Sequence, residues 1–425
     1  MMDNTKIFLS DLGPVSCDIP FDTPFVTCMY TPPPPPQLFT LEMLEEAYVW
    51  ICKQRIEYSE NNDIWDLRRN WNVIKQDILT QLNDGSYLFS PLQRFDFPDE
   101  IVSMWSSRDM ISLKMITGVL HGLMKDHLPK SCCHVKGHGG LKKAVKKTYE
   151  ALPENTYFFR SDIKQYYESI RFDVLMGIVD HYIKHPILAT LVLKAIRRTE
   201  TFGGNFYDYH QKGIAKRCPL SPLLSAIALM PLDHAMDGIK DIFYTRFVDD
   251  WIVLTKSKTM LRKIIRKTHS ILNTLHLTMH PNKTYIGKIQ KGFNFLGYFF
   301  QPSTLLPSLE SIRRVHERSA VRYAQVSRRR PVPETNRDIS DYQVNERAPT
   351  DEDMIRVLCS LNWQLDQNPD RQTQIQRYLQ RWGCWFKGGL TEIDIFMTCV
   401  KVSLPSLGLI LDKHDISSIL VAHVN

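Results

Sequence analysis

The stretch RFVDDWIVLT, from Arg246 to Thr255, constrains this chain strongly because two adjacent carboxylates interrupt a run of apolar residues. The flanking segments IFYTRF and WIVLT are rich in the β-branched and aromatic residues that favour strands. The pattern therefore predicts a β-hairpin with Asp249 and Asp250 at its tip. An exposed turn accounts for most such acid pairs. The alternative is a hairpin that holds a cation.

A further acid, Asp162, ends the stretch NTYFFRSDI (Asn155–Ile163), whose aromatic content is typical of a strand. Helical segments follow, then the hairpin, a basic amphipathic helix from Lys258 to His276, and the short strands KTYIGKI and FNFLGYFF. This order predicts an α+β unit of the split βαβ kind. The first strand and the hairpin are neighbours in such a sheet, so we expect Asp162 and Asp249 to converge.

The preceding part of the chain is predicted to be helical from Leu38 to about Leu82 and again from Trp105 to Leu123. An irregular stretch through Pro91 and Pro98 separates these helical segments. A polar, glycine-containing loop is predicted from Gly203 to Lys216. The sequence therefore predicts sheet structure only around the carboxylates.

Converging carboxylates repel each other unless a cation joins them. Mg²⁺ suits oxygen ligands and is typically held by one or two carboxylates, which leaves positions for phosphate oxygens. Two such ions roughly 4 Å apart can activate an attacking hydroxyl and stabilise a leaving pyrophosphate. In a basic chain this arrangement points to phosphoryl transfer on nucleic acid.

Composition limits the class of protein. The chain has 425 residues, of which 43% are hydrophobic and 23% charged, as in a globular protein of two or three lobes. A net charge of +7 permits a polyanionic partner. Nine cysteines without paired spacing predict reduced thiols. The sequence shows neither a signal peptide nor an apolar run near the ~20 residues of a membrane helix, so we expect a cytoplasmic protein without a membrane partner.

Five motifs now bear on the family: FFRSDIKQYYESI, KRCPLSPLLSAIAL, YTRFVDDWIVL, LHLTMHPNKTYIG and GFNFLGYFF occur in this order. They resemble the successive palm motifs of reverse transcriptases of the bacterial group II intron and retron lineage. WSSRDMISLKMITGVLHGLM resembles the fingers segment of these enzymes, and IQRYLQRWGCWFKGGL (Ile375–Leu390) resembles their thumb. The resemblance implies an RNA-directed DNA polymerase with the right-hand α+β fold.

The resemblance also implies a division of the chain. We expect an N-terminal extension with a proline run over 1–37, helical fingers with a basic stripe over 38–150, a palm with the carboxylates and a primer-grip hairpin over 151–300, and a helical, Arg-rich thumb with a tail over 301–425.

Site residues follow from the same motifs. Asp162, Asp249 and Asp250 would be catalytic and, with the carbonyl of Ile163, would ligate two Mg²⁺ ions, for which Mn²⁺ can substitute. The incoming dNTP would contact residues of the fingers and palm, namely Tyr167, Lys216, Arg217, Ser221, Lys283 and Arg108.

These nucleotide contacts have distinct roles. Tyr167 would pack under the sugar and exclude a 2′-hydroxyl, whereas a core aromatic is the alternative. Lys283 would offset charge on the leaving pyrophosphate, and Ser221 begins the helix behind the template base. Lys216 and Arg217 replace the Gln-Gly that family members commonly carry, and a long cation there would clamp the triphosphate.

Nucleic-acid contacts are expected from three further sets of residues. Phe295, Leu296 and Gly297 match the primer-grip hairpin of the family. A basic helical stripe precedes the palm, for which a solvated surface is the default explanation, and an Arg-rich helix follows the palm. The residues of these two sets are Lys142, Lys143, Lys146 and Lys147, and Arg314, Arg318, Arg322, Arg328, Arg329 and Arg330.

The absence of recognisable nuclease or integrase motifs makes the chain resemble the stand-alone prokaryotic reverse transcriptases of antiphage defence. As a family these act with a noncoding RNA template, which some copy repeatedly into cDNA. We therefore predict a noncoding RNA, its RNA/DNA hybrid and dNTPs as partners. Two alternatives stay open: a template-independent or protein-primed DNA polymerase of the same lineage, and an intron-maturase-like RNA-binding protein.

Overall fold

The computed structural model describes residues 37–96 and 101–314. The proline run Pro32–Pro36, the thumb-like segment Ile375–Leu390 and the predicted contacts Arg318, Arg322, Arg328, Arg329 and Arg330 lie outside these residues. Among the described helices, none combines the length and apolar character that a membrane crossing requires.

Helices and strands alternate along the described chain. The helices are α1 (Leu41–Gln54), α2 (Asp63–Arg69), α3 (Trp71–Asp84), α4 (Ser107–Met124), α5 (Gly140–Glu150), α6 (Tyr166–Ser169), α7 (Phe172–Tyr182), α8 (Pro186–Ile196), α9 (Ser221–Ala228), α10 (Met230–Asp237) and α11 (Lys258–Thr274). The strands are β1 (Leu92–Asp96), β2 (Ile101–Met104), β3 (Tyr157–Ser161), β4 (Thr199–Phe202), β5 (Asn205–Asp208), β6 (Ile242–Phe247), β7 (Asp250–Thr255), β8 (Tyr285–Lys288), β9 (Phe293–Phe295), β10 (Tyr298–Gln301) and β11 (Thr304–Pro307).

The predicted amino-terminal helices are confirmed, and their ends have local causes. The side chain of Thr40 accepts a hydrogen bond from the Met43 amide and so caps the start of α1. Gly85 ends α3 with φ +77°, a conformation that a side chain disfavours. The buried face of α1, which includes Leu44 and Ile51, packs against α4.

The central sheet has the order β6-β7-β3-β8, and all neighbouring strands are antiparallel. Strand β3 is therefore parallel to β6 with β7 between them, which is the split βαβ arrangement that the sequence predicts. Ser161 lies opposite Trp251, and Phe247 lies opposite Asp250. This register brings the end of β3 beside the tip of the β6–β7 hairpin.

A separate sheet with the order β2-β1-β4-β5 was not predicted. Strand β1 pairs in parallel with β4, which lies more than a hundred residues later in the chain. The expectations of an irregular stretch near Pro91 and a loop from Gly203 were wrong in this respect. Each strand has only four or five residues, and Gly203 and Gly204 form the tight turn between β4 and β5. Strands this short lack the periodicity on which sequence patterns depend.

The segment FNFLGYFF, expected to be one strand, is a hairpin of β9 and β10. Leu296 and Gly297 form its turn with φ values of 50° and 83°. Phe293 stacks on Phe158 of β3 with ring centroids 4.5 Å apart, so the hairpin packs against the central sheet. The predicted primer-grip residues therefore lie on a rigid support.

Candidate active site

The carboxyl groups of Asp162 and Asp249 come together although 87 positions separate them in the sequence. Asp162 directly follows β3, and Asp249 lies in the turn between β6 and β7. Burial and then the charge of Asp162 raise the pKa of Asp249 to about 6, while Lys283 lowers it. The rise in pKa comes mainly from loss of solvent around Asp249 and secondarily from the nearby charge of Asp162.

The backbone around Asp162 is hydrogen-bonded to the segment 278–280, which lies shortly before Lys283. The Asp162 carbonyl accepts a hydrogen bond from the His280 amide at 2.7 Å, and the Lys164 amide donates to the Thr278 carbonyl at 2.9 Å. These two bonds leave the carbonyl of Ile163 out of the pairing. Lys283 then places its Nζ 2.7 Å from Oδ2 of Asp162.

Asp250 lies in a different environment from Asp249. Burial raises the pKa of Asp250 to about 6, and the charge of Arg160 opposes this rise. Nε of Arg160 lies 3.5 Å from Oδ1 of Asp250, and the same guanidinium donates to the carbonyl of Asn294 in β9. The structure thus links Asp250 to the β9–β10 hairpin, while Asp249 faces Asp162.

The donor set of the site fits a hard cation. Within residues 37–96 and 101–314, no three His, Cys, Asp or Glu side chains are grouped to hold a metal ion. Mg²⁺ does not need such a cage, because one or two carboxylates and substrate phosphates commonly complete its coordination. Asp162 and Asp249 would hold the ion, with Asp250 and the Ile163 carbonyl beside them.

Sequence reasoning missed a buried ion pair beneath the hairpin tip. Arg246 and Asp233 are fully buried, and Nε of Arg246 lies 2.7 Å from Oδ1 of Asp233. The hydroxyl of Tyr244 donates to the same carboxylate at 2.7 Å. A charged residue within an otherwise apolar strand was the available signal, because buried charges require partners.

Tyr167 lies near the hairpin tip, as its expected role requires. Burial raises the pKa of its hydroxyl, and the charge of Asp249 adds to this rise. Ser221, by contrast, is buried and donates from Oγ to the carbonyl of Ala215 at 2.6 Å. Its hydroxyl thus supports the loop before α9.

A cavity of about 1130 Å³ contains the unusual pair Lys216 and Arg217. Nζ of Lys216 lies 2.5 Å from a carboxylate oxygen of Glu168, and Arg217 has a φ of +57°. The cavity is also lined by three cations from the β1–β4 sheet and its surroundings, which are Arg94, Arg198 and Lys212. The same cavity is lined by Glu168, Glu200 and Asp208, and Arg198 pairs with Glu200 at 3.1 Å.

The predicted contact Arg108 is engaged elsewhere in this structure. Its guanidinium forms an ion pair with Asp77 of α3 and lies 5.7 Å from the ring centroid of Tyr87. Lys114, on the same helix α4, lies 5.0 Å from the ring centroid of Trp50. Neither of these residues lines the cavity that contains Lys216.

The basic stripe of α5 divides into two parts. Lys143, Lys146 and Lys147 are exposed, whereas Nζ of Lys142 lies 3.2 Å from the hydroxyl of Tyr298 in β10. Burial lowers the pKa of Lys142. Arg314, at the end of the described residues, pairs with Glu310 at 2.9 Å. The three exposed lysines and the exposed Arg314 keep the surface character that phosphate contact needs.

Comparison with known proteins identifies the class of this domain. Residues 105–300 match the family described as Reverse transcriptase (RNA-dependent DNA polymerase). The match includes Asp162, Asp249, Asp250 and Lys283, and it confirms the right-hand α+β fold class and the enzyme class predicted from the motifs. This part of the chain is thus similar to a reverse transcriptase domain.

Solved structures give a more distant likeness. The apo telomerase of Candida tropicalis truncated from its C-terminal domain is 13% identical with a TM-score of 0.43, over 56% of this chain and 60% of that one. The apo telomerase of Candida tropicalis is 10% identical with a TM-score of 0.44, over 83% of this chain and 74% of that one. No curated protein sequence matches the chain.

Proposed function

We propose that the protein is an RNA-directed DNA polymerase that copies a cognate noncoding RNA into cDNA by two-metal-ion nucleotidyl transfer. The observation that carries this proposal is the meeting of Asp162 and Asp249 at the adjoining ends of β3 and the β6–β7 hairpin. The two carboxylates offer oxygen ligands there, and Lys283 supplies a nearby positive charge.

The residues of the chain have separable tasks in this reaction. Asp162 and Asp249 would hold Mg²⁺, which when bound activates the primer hydroxyl and stabilises the leaving pyrophosphate. Lys283 is placed to offset charge that develops on the phosphates. Tyr167, beside Asp249, would restrict the sugar pocket to deoxyribose. Lys216 and Arg217 line a cavity in which Lys216 pairs with Glu168 and Arg198 pairs with Glu200, so a triphosphate bound there would have to compete with these two carboxylates.

The biological setting of the proposal rests on the motif resemblance. It implies a stand-alone prokaryotic enzyme of the cytoplasm that acts in antiphage defence, with repeated copying of its RNA as one mode. The exposed lysines of α5 and the net charge of +7 support a nucleic-acid partner. Sequencing of the RNA and DNA that co-purify with the protein from its host tests this setting.

The activity itself is tested with Asp162→Asn and Asp249→Asn. We expect both variants to lose Mg²⁺-dependent dNTP incorporation on an RNA template while they retain RNA binding. Asp180→Asn, an exposed position on α7, is the matched control and should keep full activity. Incorporation that persists in the Asp162→Asn, Asp249→Asn double variant contradicts the proposal.

A second candidate function is DNA synthesis without an RNA template or from a protein primer. It is favoured by Lys216 and Arg217, which stand where the related enzymes commonly carry Gln-Gly. Arg217 also adopts a left-handed backbone conformation, with φ +57°. Product sequences that match no bound RNA would support synthesis without a template, and products complementary to the RNA would exclude that mode, whereas DNA covalently attached to the protein would indicate a protein primer.

A further inference from the structure

Val248, the residue before Asp249, has a backbone conformation that requires support. Its φ is +59°, in the left-handed region that β-branched residues rarely adopt. Such a conformation is energetically unfavourable and persists only where surrounding contacts enforce it. The orientation of the Asp249 carboxylate depends directly on this residue.

The amide of Val248 is held by His134, which lies far away in the sequence. The Val248 N–H donates to Nδ1 of His134 at 3.0 Å, and Nε2 of the same ring lies 3.1 Å from the carbonyl of Pro222. Because Nδ1 accepts, Nε2 carries the proton and donates to Pro222. Burial, followed by the charge of Arg246, lowers the pKa of His134 to about 4, so the ring is neutral.

The carbonyl of Val248 is held from the opposite side by Arg246. Nη1 of Arg246 donates to this oxygen at 2.5 Å, and the guanidinium is itself fixed by the buried Asp233. Both polar backbone groups of the strained residue are therefore bonded to side chains. Arg246 is tied to the core, whereas His134 is tied to the start of α9 through Pro222.

We propose that His134 is a positioning residue that holds the Val248 peptide, sets the direction of Asp249 and couples the catalytic turn to the start of α9. The expected effect of His134 on catalysis rests on the proposed function. The expected effect of His134 on cation binding by Asp162 and Asp249 does not. Cation binding can be measured separately from polymerisation.

Nδ1 of His134 also lies 3.4 Å from Sγ of Cys132, and three substitutions separate the hydrogen bonds to Val248 and Pro222. In His134→Asn, the side-chain oxygen can take the place of Nδ1 and accept from Val248. In His134→Gln, the longer side chain reaches toward Pro222 but lacks an acceptor at the Nδ1 position. His134→Leu removes both bonds.

The readouts are Mn²⁺ affinity, followed by electron paramagnetic resonance of the free ion, and steady-state dNTP incorporation. We expect His134→Leu and His134→Gln to bind Mn²⁺ about tenfold more weakly and to lose about tenfold or more in kcat with little change in KM. His134→Asn should restore most of both properties. Equal losses in the Asn and Gln variants, or unchanged Mn²⁺ affinity in all three, overturn the proposal.

Thermal unfolding of each variant identifies a loss that is due only to misfolding. If His134→Leu does not fold, the comparison of Asn with Gln still decides the question. If the wild-type protein binds Mn²⁺ but incorporates no dNTP, the proposed function fails while the positioning role is still tested.

A second inference comes independently from the surface of α11. Leu261, Ile264 and Leu272 bury one face of this helix, which packs on β3, β7 and α10. Six cations lie on or just before the helix, and no Asp or Glu occurs between positions 256 and 309. The described ion pairs include none of these cations, which are Lys256, Lys258, Arg262, Lys263, Arg266 and Lys267.

The cationic face of α11 begins at a distance from Asp162, Asp249 and Asp250. Strand β7 starts at Asp250 and ends at Thr255, so its length of about 17 Å separates the acids from the start of α11. We infer that the cationic face of α11 binds the backbone of structured RNA outside the polymerase cleft. The inference rests on the proposed function for its partner, and charge complementarity selects a polyanion.

The test compares wild type with the triple variant Arg262→Gln, Lys263→Gln, Arg266→Gln. The probes are bulk tRNA as structured RNA, duplex DNA and a short primer–template hybrid. We expect the slope of log Kd against log salt for tRNA to fall by roughly 2 to 3, because each lost phosphate contact contributes about 0.7–0.9. Binding and extension of the short hybrid should stay unchanged.

A matched control carries the same change of net charge on other elements, as Lys53→Gln, Arg69→Gln and Lys125→Gln, all of which are exposed. It should keep the wild-type slope. Any of three results overturns the inference. They are an unchanged slope in the α11 variant, an equal decrease of slope in the control, and a larger decrease of slope for duplex DNA than for tRNA. An equal loss of binding to the short primer–template hybrid also overturns the inference, because it would show that the cationic face of α11 contacts nucleic acid inside the polymerase cleft.

Discussion

Lys283 and Asp162 form an ion pair across 2.7 Å, at the point where the chain brings its two carboxylates together. The ammonium partly offsets the repulsion between Asp162 and Asp249, as its effect on the pKa of Asp249 shows. The ammonium is half exposed, so it can turn toward a bound triphosphate.

Removal of this ammonium should slow catalysis. We expect Lys283→Gln to lower kcat about 100-fold, the usual effect of losing one preorganised donor at a developing charge. Lys283→Arg should retain part of the activity because it keeps the charge. Rapid-quench incorporation assays measure both. Lys288→Gln, exposed on neighbouring β8, is the control, and an equal loss there would contradict the specific role of Lys283.

Metal affinity should depend on pH through Asp249. Its pKa of about 6 lies above the usual value, so the carboxylate is largely charged at pH 7 and protonated at pH 5. The ion must displace this proton, and affinity should fall about tenfold per pH unit below 6. Mn²⁺ titrations at several pH values measure the slope. Affinity that is constant from pH 7 to pH 5 would show that Asp249 is not a ligand.

Asp249→Asn should stabilise the metal-free protein while it abolishes activity. The pKa is raised in the folded state, so the charged carboxylate costs stability above pH 6 and this cost disappears as the pH falls toward 4. The rise from 3.8 to about 6 corresponds to at most about 3 kcal/mol. We expect a higher Tm than wild type at pH 7 and a smaller difference at pH 5, by calorimetry without metal. A lower Tm for Asp249→Asn than for wild type at pH 7 would contradict a destabilising effect of the charged Asp249 carboxylate.

Loss of one partner of the buried Arg246–Asp233 pair should destabilise the fold. Arg246→Leu leaves the carboxylate of Asp233 buried without its cation, and such a change costs roughly 3–5 kcal/mol. Denaturant unfolding measures the free energy. Arg246→Lys should also be destabilising, because an ammonium cannot reach Asp233 and the Val248 carbonyl in the same geometry. Wild-type stability in both variants would contradict the role of this pair.

Substitution of Tyr167 should change the choice of sugar. With the ring removed in Tyr167→Val, we expect ribonucleotide incorporation to rise at least about tenfold relative to deoxyribonucleotide incorporation. Tyr167→Phe keeps the ring and should keep the selectivity. Competition between rNTP and dNTP on one template gives the ratio. Unchanged selectivity in Tyr167→Val would show that Tyr167 is a core aromatic residue and does not select the sugar.

The central sheet and its acids could be predicted because their signals are local. β-branched and aromatic residues on both sides of Asp249 specify a hairpin, and the motif order specifies the neighbour that supplies Asp162. The sheet of β1 and β4 escaped prediction because its pairing joins short strands that are distant in sequence. The periodicity of residues within β1 does not indicate that β4 is its partner.

The contacts of single side chains were the least accessible to sequence analysis. Arg108 looked like a triphosphate contact from its motif, yet Asp77 on a separate helix pairs with it. His134 carries no site prediction from the sequence, yet its ring bonds to the turn between β6 and β7. In both cases the partner is set by tertiary packing, which a pattern along the chain does not contain.

The parallel pairing of β1 with β4 has a consequence for synthesis of the chain. At the usual rate of about 5–20 residues per second, the ribosome needs on the order of 5 to 20 s to add the segment between Leu92 and Glu200. During that interval β1 exposes an unpaired edge, which invites pairing with other chains. The nascent protein thus passes through a period of vulnerability to aggregation, before the palm is complete and before any nucleotide can bind.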